Sequence, residues 1–343
     1  MELFIYPEQT VRRTLPVNLK KEDLVLFQKE LVKTFESVSG KSYQNVHILP
    51  NGAVLKDGIK SALYFSQSIP HKKGKRITNE TKLYLKSLAS LMRVRKRVNI
   101  KKALLLTDHY SVMFFHWFAD VLQKLEAIED SDLDINDYIL LIPFTVKNHY
   151  TDFSLDKYNI EYKIIESDEV VTVNELLHIP LISPSGNFRP ELAQNIRERF
   201  NITRTPFSEK KRVYITRQFA PNRKIVNEEK LKPVLDNLNF TIAAMEQLSF
   251  EEQLNTVMNA EVLVSIHGAG LTHMLWMNPG STILEIRLKD DNTHNCYFSL
   301  ASDLGLHYHY LPAEKADKKS YVLQADVSMN MTEFEQLLNK ICT

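Results

Sequence analysis

Cysteine is almost absent from this chain of 343 residues: only Cys296 and Cys342 occur, and neither has a partner at metal-ligand spacing. That excludes a disulfide-stapled scaffold and a cysteine zinc site. Charge of one sign is also lacking, with 43 basic against 42 acidic side chains, so no overall field draws the chain onto nucleic acid. No run approaches the roughly 18 apolar residues of a membrane span. The first residues, MELFIYPEQTVRR, lack the apolar core of a signal peptide. The expected location is therefore cytoplasmic, and four N-x-S/T triplets, at Asn79, Asn201, Asn239 and Asn330, carry little weight as glycan acceptors.

Several catalytic signatures are missing as well. There is no Walker sequence and no G-x-S-x-G, and no D-x-D metal motif precedes the strands; Asp130-Ser131-Asp132 and Asp132-Leu133-Asp134 lie in a polar loop. A dinucleotide fingerprint fails too, because Gly268-x-Gly270 is followed by His at position 273 where a third glycine would stand.

What is present is a globular composition, 44% hydrophobic and 25% charged, at a length that suggests two domains. The stretch Val262 to Ile286 organises the rest. Val262 to Ile266 reads as a buried parallel strand, His267-Gly268-Ala269-Gly270 as a tight turn, Leu271 to Trp276 as a helix, and Ser281 to Ile286 as a second buried strand. In such a βαβ unit the free amides and positive end of the helix face an anion, and glycine lets the anion approach. A diphosphate or sugar site is expected at His267, Gly268, Ala269 and Gly270.

Residues 18–37 carry Leu24, Phe27, Leu31 and Phe35 at three- and four-residue steps, which predicts an amphipathic helix. Short apolar runs broken by Asn51-Gly52 and Asp57-Gly58 predict antiparallel hairpins between Val46 and Phe65. Parallel-type strands are expected at residues 101–108, 139–144 and 160–165, with a helix over Val112 to Ile128. Near Pro180 to Pro190 the composition shifts to Pro, Ser, Gly and Asn, the expected linker. Beyond it, strands near residues 212, 240, 262, 281 and 307 alternate with helices, a Rossmann-like pattern. The expected division is 1–180, 181–325, and a terminal helix in 326–343.

Basic clusters at Lys72, Lys73, Lys75 and Arg76, and at Arg93, Arg95, Lys96, Arg97, Lys101 and Lys102, are ordinarily a solvated rim. Within residues 72–102 they also offer a peripheral contact with an anionic membrane face. Arg217 and Arg223, in the loop after the strand at 212, suit bidentate neutralisation of a diphosphate. Leu248, Ser249 and Gln253, between strand and helix, are placed to meet a nucleotide base. His116 and Asp120 stand four apart on a helix, so the carboxylate can orient the imidazole as a general base. A histidine among Phe114, Phe115, Trp117 and Phe118 is more often a core residue; its position just past a strand favours the catalytic reading.

These residues together resemble glycosyltransferase family 61, which includes O-linked N-acetylglucosaminyltransferases, plant xylosyltransferases and many bacterial members. The resemblance rests on Thr216-Arg217, where the family usually has Ser-Arg, on Arg223, Asn227-Glu228, Leu248-Ser249-Phe250 with Gln253, His267 to Leu271 (H-G-A-G-L), and Pro279-Gly280-Ser281 with Glu285. Phe115-His116-Trp117 with Asp120 is similar to the family's H-x-x-x-D helix, although Val121-Leu122-Gln123-Lys124 departs from its usual L-P continuation. The resemblance implies an α/β, GT-B-like fold of two Rossmann-like domains facing a central cleft, inverting transfer from a nucleotide sugar, usually UDP-linked, and no obligatory metal or cofactor. It further implies a glycan or lipid-linked glycan acceptor, His116 or Asp120 as base, Arg217 and Arg223 on the diphosphate, and Asn227 at the donor. Glu285 is either a sugar or ribose ligand or a structural strand end. A catalytically inactive protein that kept nucleotide or glycan binding is the alternative.

Overall fold

The structure is a computed structural model that describes residues 2–56, 61–63, 89, 91–200, 211–289, 291–317 and 324–343. The basic residues 72, 73, 75 and 76, the Asp57-Gly58 turn, and the triplets at Asn79 and Asn201 lie outside the described residues. The chain is mixed α/β and divides into two compact units: residues 1–9 with 35–185, and residues 10–34 with 186–343.

The amino-terminal strands are β1 (Glu2–Tyr6), β2 (Gln9–Arg12), β3 (Val32–Phe35), β4 (Val38–Ile48), β5 (Val54–Lys56) and β6 (Ser61–Leu63). They are followed by β7 (Lys96–Leu105), β8 (Ile139–Pro143), β9 (Tyr162–Ile165) and β10 (Glu169–His178). In the first unit the order is β6-β5-β4-β10-β7-β8-β9, with β1 also on β4. The half containing β10, β7, β8 and β9 is parallel, and β4 and β5 add to it antiparallel. Asn51-Gly52 makes the β4–β5 turn, with Gly52 at φ +80, a conformation that favours glycine. The core is aliphatic and β-branched, with Val46, Ile48, Leu105, Leu141, Val171 and Val173 each fully buried.

The second unit carries β11 (Arg212–Ile215), β12 (Phe240–Ala243), β13 (Val262–Ile266), β14 (Thr282–Leu288), β15 (His307–Lys315) and β16 (Val327–Ser328). Their order is β12-β11-β13-β14-β15-β16. All neighbours run parallel except β15 and β16. The strands read as near-continuous apolar runs because both faces are covered, the mark of a parallel sheet. The terminal helix Met331–Cys342 buries Phe334 and Leu338 in this unit's core.

Residues 18–37 do not form the predicted helix. A 3-10 turn (Lys21–Asp23), one helical turn (Leu24–Phe27) and β3 take its place. Tertiary partners override the helical spacing. Phe27 is buried against Phe298 and Tyr310, at ring distances of 4.9 and 5.1 Å, while Phe35 serves a strand. The Asn18 side chain donates to the Tyr310 carbonyl at 2.8 Å and accepts its amide at 3.1 Å, imitating a strand partner on β15. Residues 10–34 are therefore an arm of the second unit. Strand β10, absent from the sequence reading, sits between β4 and β7 in the first.

The arm is pinned by Arg13, whose fully buried side chain reaches both Asp303 oxygens at 3.0 Å and the Asn187 side-chain oxygen at 3.2 Å. Burial pushes the Asp303 carboxyl up to about 6, with Arg13 opposing. Arg13→Ala, which strands a buried carboxylate, should lower stability in urea by about 3–5 kcal/mol at neutral pH. A carboxyl whose folded pKa exceeds its unfolded value of about 3.9 binds more protons when folded. The gap between variant and wild type should therefore shrink as pH falls from about 7 to about 5; a widening gap would contradict this account of the buried pair.

Candidate functional site

β11 has β12 on one side and β13 on the other, so the second unit has the doubly wound order in which β12 is outermost. The gap between the carboxyl ends of β11 and β13 is the point where the winding reverses, and ligands of open α/β sheets bind there. β11 ends in Thr216-Arg217 and β13 in His267-Gly268, so both predicted motifs meet at this gap.

Gly268 is extended, with φ 167, a conformation open to any residue, so what glycine offers there is space. A Cβ would stand 3.1 Å from Arg217 Nη1, and one on Gly270 would stand 3.1 Å from Ile215 Cγ2. Ala269–Trp276 is a 3-10 helix, a tighter winding than the predicted α-helix; its ladder begins with Leu271 N to Gly268 O at 2.9 Å, so the amides of Ala269 and Gly270 precede it. Burial pushes His273, inside that helix, down to about 3, so it is neutral.

Arg217 Nη2 donates to the Asn222 carbonyl at 3.2 Å, and Arg223 Nη1 to the His267 carbonyl at 3.3 Å. Among the described residues neither guanidinium has a carboxylate in ion-pair contact, and Arg217 Nε is buried without a hydrogen-bond partner. Burial, and then the Arg223 charge, lower the Arg217 pKa from the ordinary guanidinium value. Two cations held close and short of counter-charge create a demand for an anion. Arg223 sits at φ +59, and its loop is fastened by Val226 N to Val327 O at 2.8 Å and by Lys224 N to Asp326 at 2.8 Å.

His267 is fixed from below. Its Nδ1 donates to Glu285 Oε1 at 2.5 Å, and the Tyr308 hydroxyl donates to Glu285 Oε2. Arg287 Nη1 lies 3.3 Å from the Tyr308 oxygen, and its Nη2 donates to the Asp291 carbonyl at 2.6 Å. Burial alone would push the Glu285 carboxyl up; the charge and hydrogen bond of His267, followed by Arg287 and Tyr308, outweigh it and hold it low. Both Glu285 oxygens are engaged and the side chain is fully buried. It therefore reaches a ligand only through His267, as a structural strand end and not as a sugar or ribose contact. Two charged residues at alternate positions of an apolar strand, Glu285 and Arg287, were the sequence signal for this network.

Other expected donor residues have local duties. Asn227 exchanges hydrogen bonds with the backbone of Met329, at 3.0 and 3.4 Å. Ser249 caps helix Phe250–Val257 in a capping box with Glu252. Gln253 is buried and donates to the Met245 and Leu248 carbonyls at 2.8 and 3.0 Å. These three side chains shape the turns after β11 and β12, and half-buried Leu248 sits in the second of them. Glu228, unassigned from sequence, accepts from the Tyr214 and Thr216 hydroxyls at 2.6 and 2.8 Å and so anchors the end of β11.

In the first unit His116 and Asp120 do form a pair, with Nδ1 to Oδ2 at 2.7 Å. Asp120 is buried and His116 one-fifth exposed, so the imidazole keeps an accessible edge. Trp117–Val121 is a π-turn within the helical stretch 114–129, an insertion frequent at functional sites. Tyr110 and His109 stack beside it, with ring centroids 5.4 Å from His116 to Tyr110 and 3.9 Å from Tyr110 to His109. Lys124, missed as a site residue, lies two helical steps on, fully buried, with Nζ 2.7 Å from the Leu106 carbonyl. Burial pushes its ammonium down, and the Asp108 and Asp120 charges oppose that.

A glycine-lined, doubly cationic gap in a doubly wound sheet and a separate carboxylate-held histidine are the parts of a group-transfer enzyme. A family model described as Glycosyltransferase 61 matches residues 114–284, from two residues before His116 to one residue before Glu285. The chain belongs to glycosyltransferase family 61. It is 35% identical over 148 residues to the EGF domain-specific O-linked N-acetylglucosamine transferase of Xenopus laevis, covering 40% of this chain and 27% of that one. The transferases of the same name from Mus musculus and Drosophila melanogaster are each 33% identical, over 138 and 129 residues, covering 38% and 37% of this chain and 26% and 24% of theirs. The chain thus matches about a quarter of the length of these relatives. Among the described residues no helix is long and apolar enough to cross a membrane.

The two glycines should fail differently. Gly270→Ala presses on the buried Ile215 and should destabilise the protein by about 1–3 kcal/mol, read as a lower Tm. Gly268→Ala presses on the end of a flexible arginine, so Tm should hold while binding of inorganic pyrophosphate weakens in calorimetry. Unchanged pyrophosphate binding in that variant would detach Gly268 from the anion site.

Proposed function

We propose that this protein is an inverting, metal-independent glycosyltransferase of GT-B type that moves a sugar from a UDP-linked donor to a hydroxyl of a glycan or lipid-linked glycan. The carrying observation is the convergence of Arg217, Arg223 and the His267–Gly270 turn on one gap, with, among the described residues, no carboxylate in ion-pair contact with either guanidinium. A diphosphate meets that demand: the guanidinium groups and the first amides of the 3-10 helix stabilise the charge that develops on the leaving nucleotide. These cations take the place a divalent metal fills elsewhere, which supports metal independence. The base of the nucleotide lies over the turn Met245–Gln247 after β12, on the far side of the diphosphate.

The reaction is a single displacement. Asp120 holds His116 by Nδ1, leaving Nε2 to take the proton of the acceptor hydroxyl as its oxygen bonds to the anomeric carbon. The bond from that carbon to the diphosphate oxygen breaks on the opposite face, giving inversion, and UDP leaves with the electron pair. Proximity of acceptor and donor supplies much of the acceleration. Biosynthesis of a capsule or other polysaccharide in the cytoplasm fits this chemistry.

Saturating UDP, at about one hundred times its Kd, should stabilise the protein by about 2.7 kcal/mol. Arg217→Ala should lose that stabilisation together with transfer, whereas His116→Ala should keep it and lose transfer by about a hundred- to ten-thousandfold. Near-normal turnover in Arg217→Ala would remove the diphosphate assignment. UDP binding without transfer from a panel of UDP-sugars would leave a nucleotide-binding protein instead of an enzyme.

A further inference from the structure

One pocket of the second unit has charges of both signs that do not cancel each other. Arg223, Ile266, His267, Leu288, Asp291, Ala325 and Val327 line it, and it is partly open to solvent. Arg223 and Asp291 share this wall, yet among the described residues no ion pair joins them.

The carboxylate at one end is ionised by construction. Burial pushes it up, but hydrogen bonds from His294 and from the Thr293 backbone hold it below the ordinary carboxylate range. His294 Nδ1 reaches Asp291 Oδ2 at 2.9 Å, while Oδ1 receives the Thr293 amide at 3.0 Å and hydroxyl at 2.9 Å and the His294 amide at 3.2 Å. Oδ1 is thus saturated and Oδ2 retains acceptor capacity. The loop is not free to swing, because Arg287 holds the Asp291 carbonyl at 2.6 Å and is itself tied through Tyr308 to Glu285 and His267.

An anion fixed in this place repels phosphate and attracts hydroxyl donors. Arg223, in the same lining, does the reverse. The pocket therefore suits a molecule that is anionic at one end and hydroxylated at the other, with an apolar floor of Ile266, Leu288 and Val327 beneath the hydroxylated part. We propose that Asp291 is a specificity-determining residue that accepts hydrogen bonds from hydroxyl groups of the transferred sugar, in the pocket it shares with Arg223 and His267. The assignment rests on the nucleotide-sugar reading and adds a direction to it. The base lies toward β12, the diphosphate at β11 and β13, and the sugar beyond β14, in the order of the strands. The apolar floor covers a sugar face, and the carboxylate separates sugars by which hydroxyl they present.

The test compares UDP with a UDP-sugar, since the two differ only in the part assigned to Asp291. Calorimetry without acceptor gives Kd for UDP and for the best-bound of UDP-glucose, UDP-xylose and UDP-N-acetylglucosamine, in wild type and in Asp291→Asn. Asparagine keeps an Oδ1 acceptor for the turn and removes the charge. Loss of a hydrogen bond to a charged acceptor should weaken UDP-sugar by about tenfold or more. UDP, ending where the sugar would begin, should bind equally well or tighter once the anion is gone. Asp291→Glu, which restores the charge, should recover part of the sugar's contribution. Equal weakening of UDP and UDP-sugar, or no weakening of either, overturns the assignment. Wild-type protein that binds neither overturns the donor reading, and this assignment with it.

Discussion

A buried carboxylate governs the second unit. Glu285, fully enclosed on the central strand β14, cannot remain ionised unless every oxygen is paired, and an isolated charge in such a place would be expelled or neutralised. His267, Tyr308 and Arg287 satisfy it, and each of these partners fixes something else. His267 carries the glycine turn. Tyr308 lies on the strand that receives the arm, whose Val17 amide bonds to the Tyr308 carbonyl at 2.9 Å. Arg287 holds the loop of Asp291 and lies 5.1 Å under the ring of Phe27. The arm of residues 10–34 thus seals the network from water, which raises the strength of every interaction inside it.

The cationic gap depends on that rigidity. Repulsion between Arg217 and Arg223 would separate mobile side chains, so each is held by a backbone carbonyl, Asn222 for one and His267 for the other. The second of these carbonyls belongs to the residue that Glu285 fixes. Gly268 then lets Arg217 lie against the turn, where any side chain would displace it. Preorganised charge is worth more to catalysis than mobile charge, because nothing need reorient when the leaving group develops its own. Glu285 therefore acts at a distance from any ligand, by setting the positions of groups that face one.

Much of this was legible in the residues. The alternation of apolar runs with helical spacing disclosed the strands of the second unit because a buried parallel strand has few other ways to read. The His116–Asp120 pair was legible because a spacing of four is a geometric statement on a helix, and the short glycine turn because it follows a strand directly. The arm was not. Its three- and four-residue apolar steps satisfied a helix, and only the presence of Phe298, Tyr308 and Tyr310, some 270 positions away, turns Phe27 inward on one helical turn. Nor were Asn227 and Gln253 readable, since a polar side chain that shapes a turn and one that meets a ligand occupy the same kind of loop. Asp291 stood in a polar stretch with nothing local to mark it; what marks it is the pocket lining it shares with Arg223, 68 positions earlier in the chain.

The first unit shows the same division between what faces a ligand and what holds it. Helix 114–129 must both present His116 at an accessible edge and bury Trp117, Phe118 and Val121, and an unbroken α-helix with this many adjacent apolar residues turns some of them toward solvent. The π-turn at Trp117–Val121 widens one turn by a residue, so Trp117, Phe118, Ala119, Asp120 and Val121 are all buried while His116 remains at the rim. Trp117 anchors the widened turn by donating to Ser154 at 2.8 Å. Beneath it Lys124 is taken out of water, and burial pushes its ammonium down while the Asp108 and Asp120 charges oppose that. Asp120 Oδ2 stands 2.7 Å from His116 Nδ1, so Nε2 is the ring nitrogen left at the accessible edge. The departure from the family pattern after Asp120 therefore places a buried lysine, with Nζ 2.7 Å from the Leu106 carbonyl, in the same helix that carries His116.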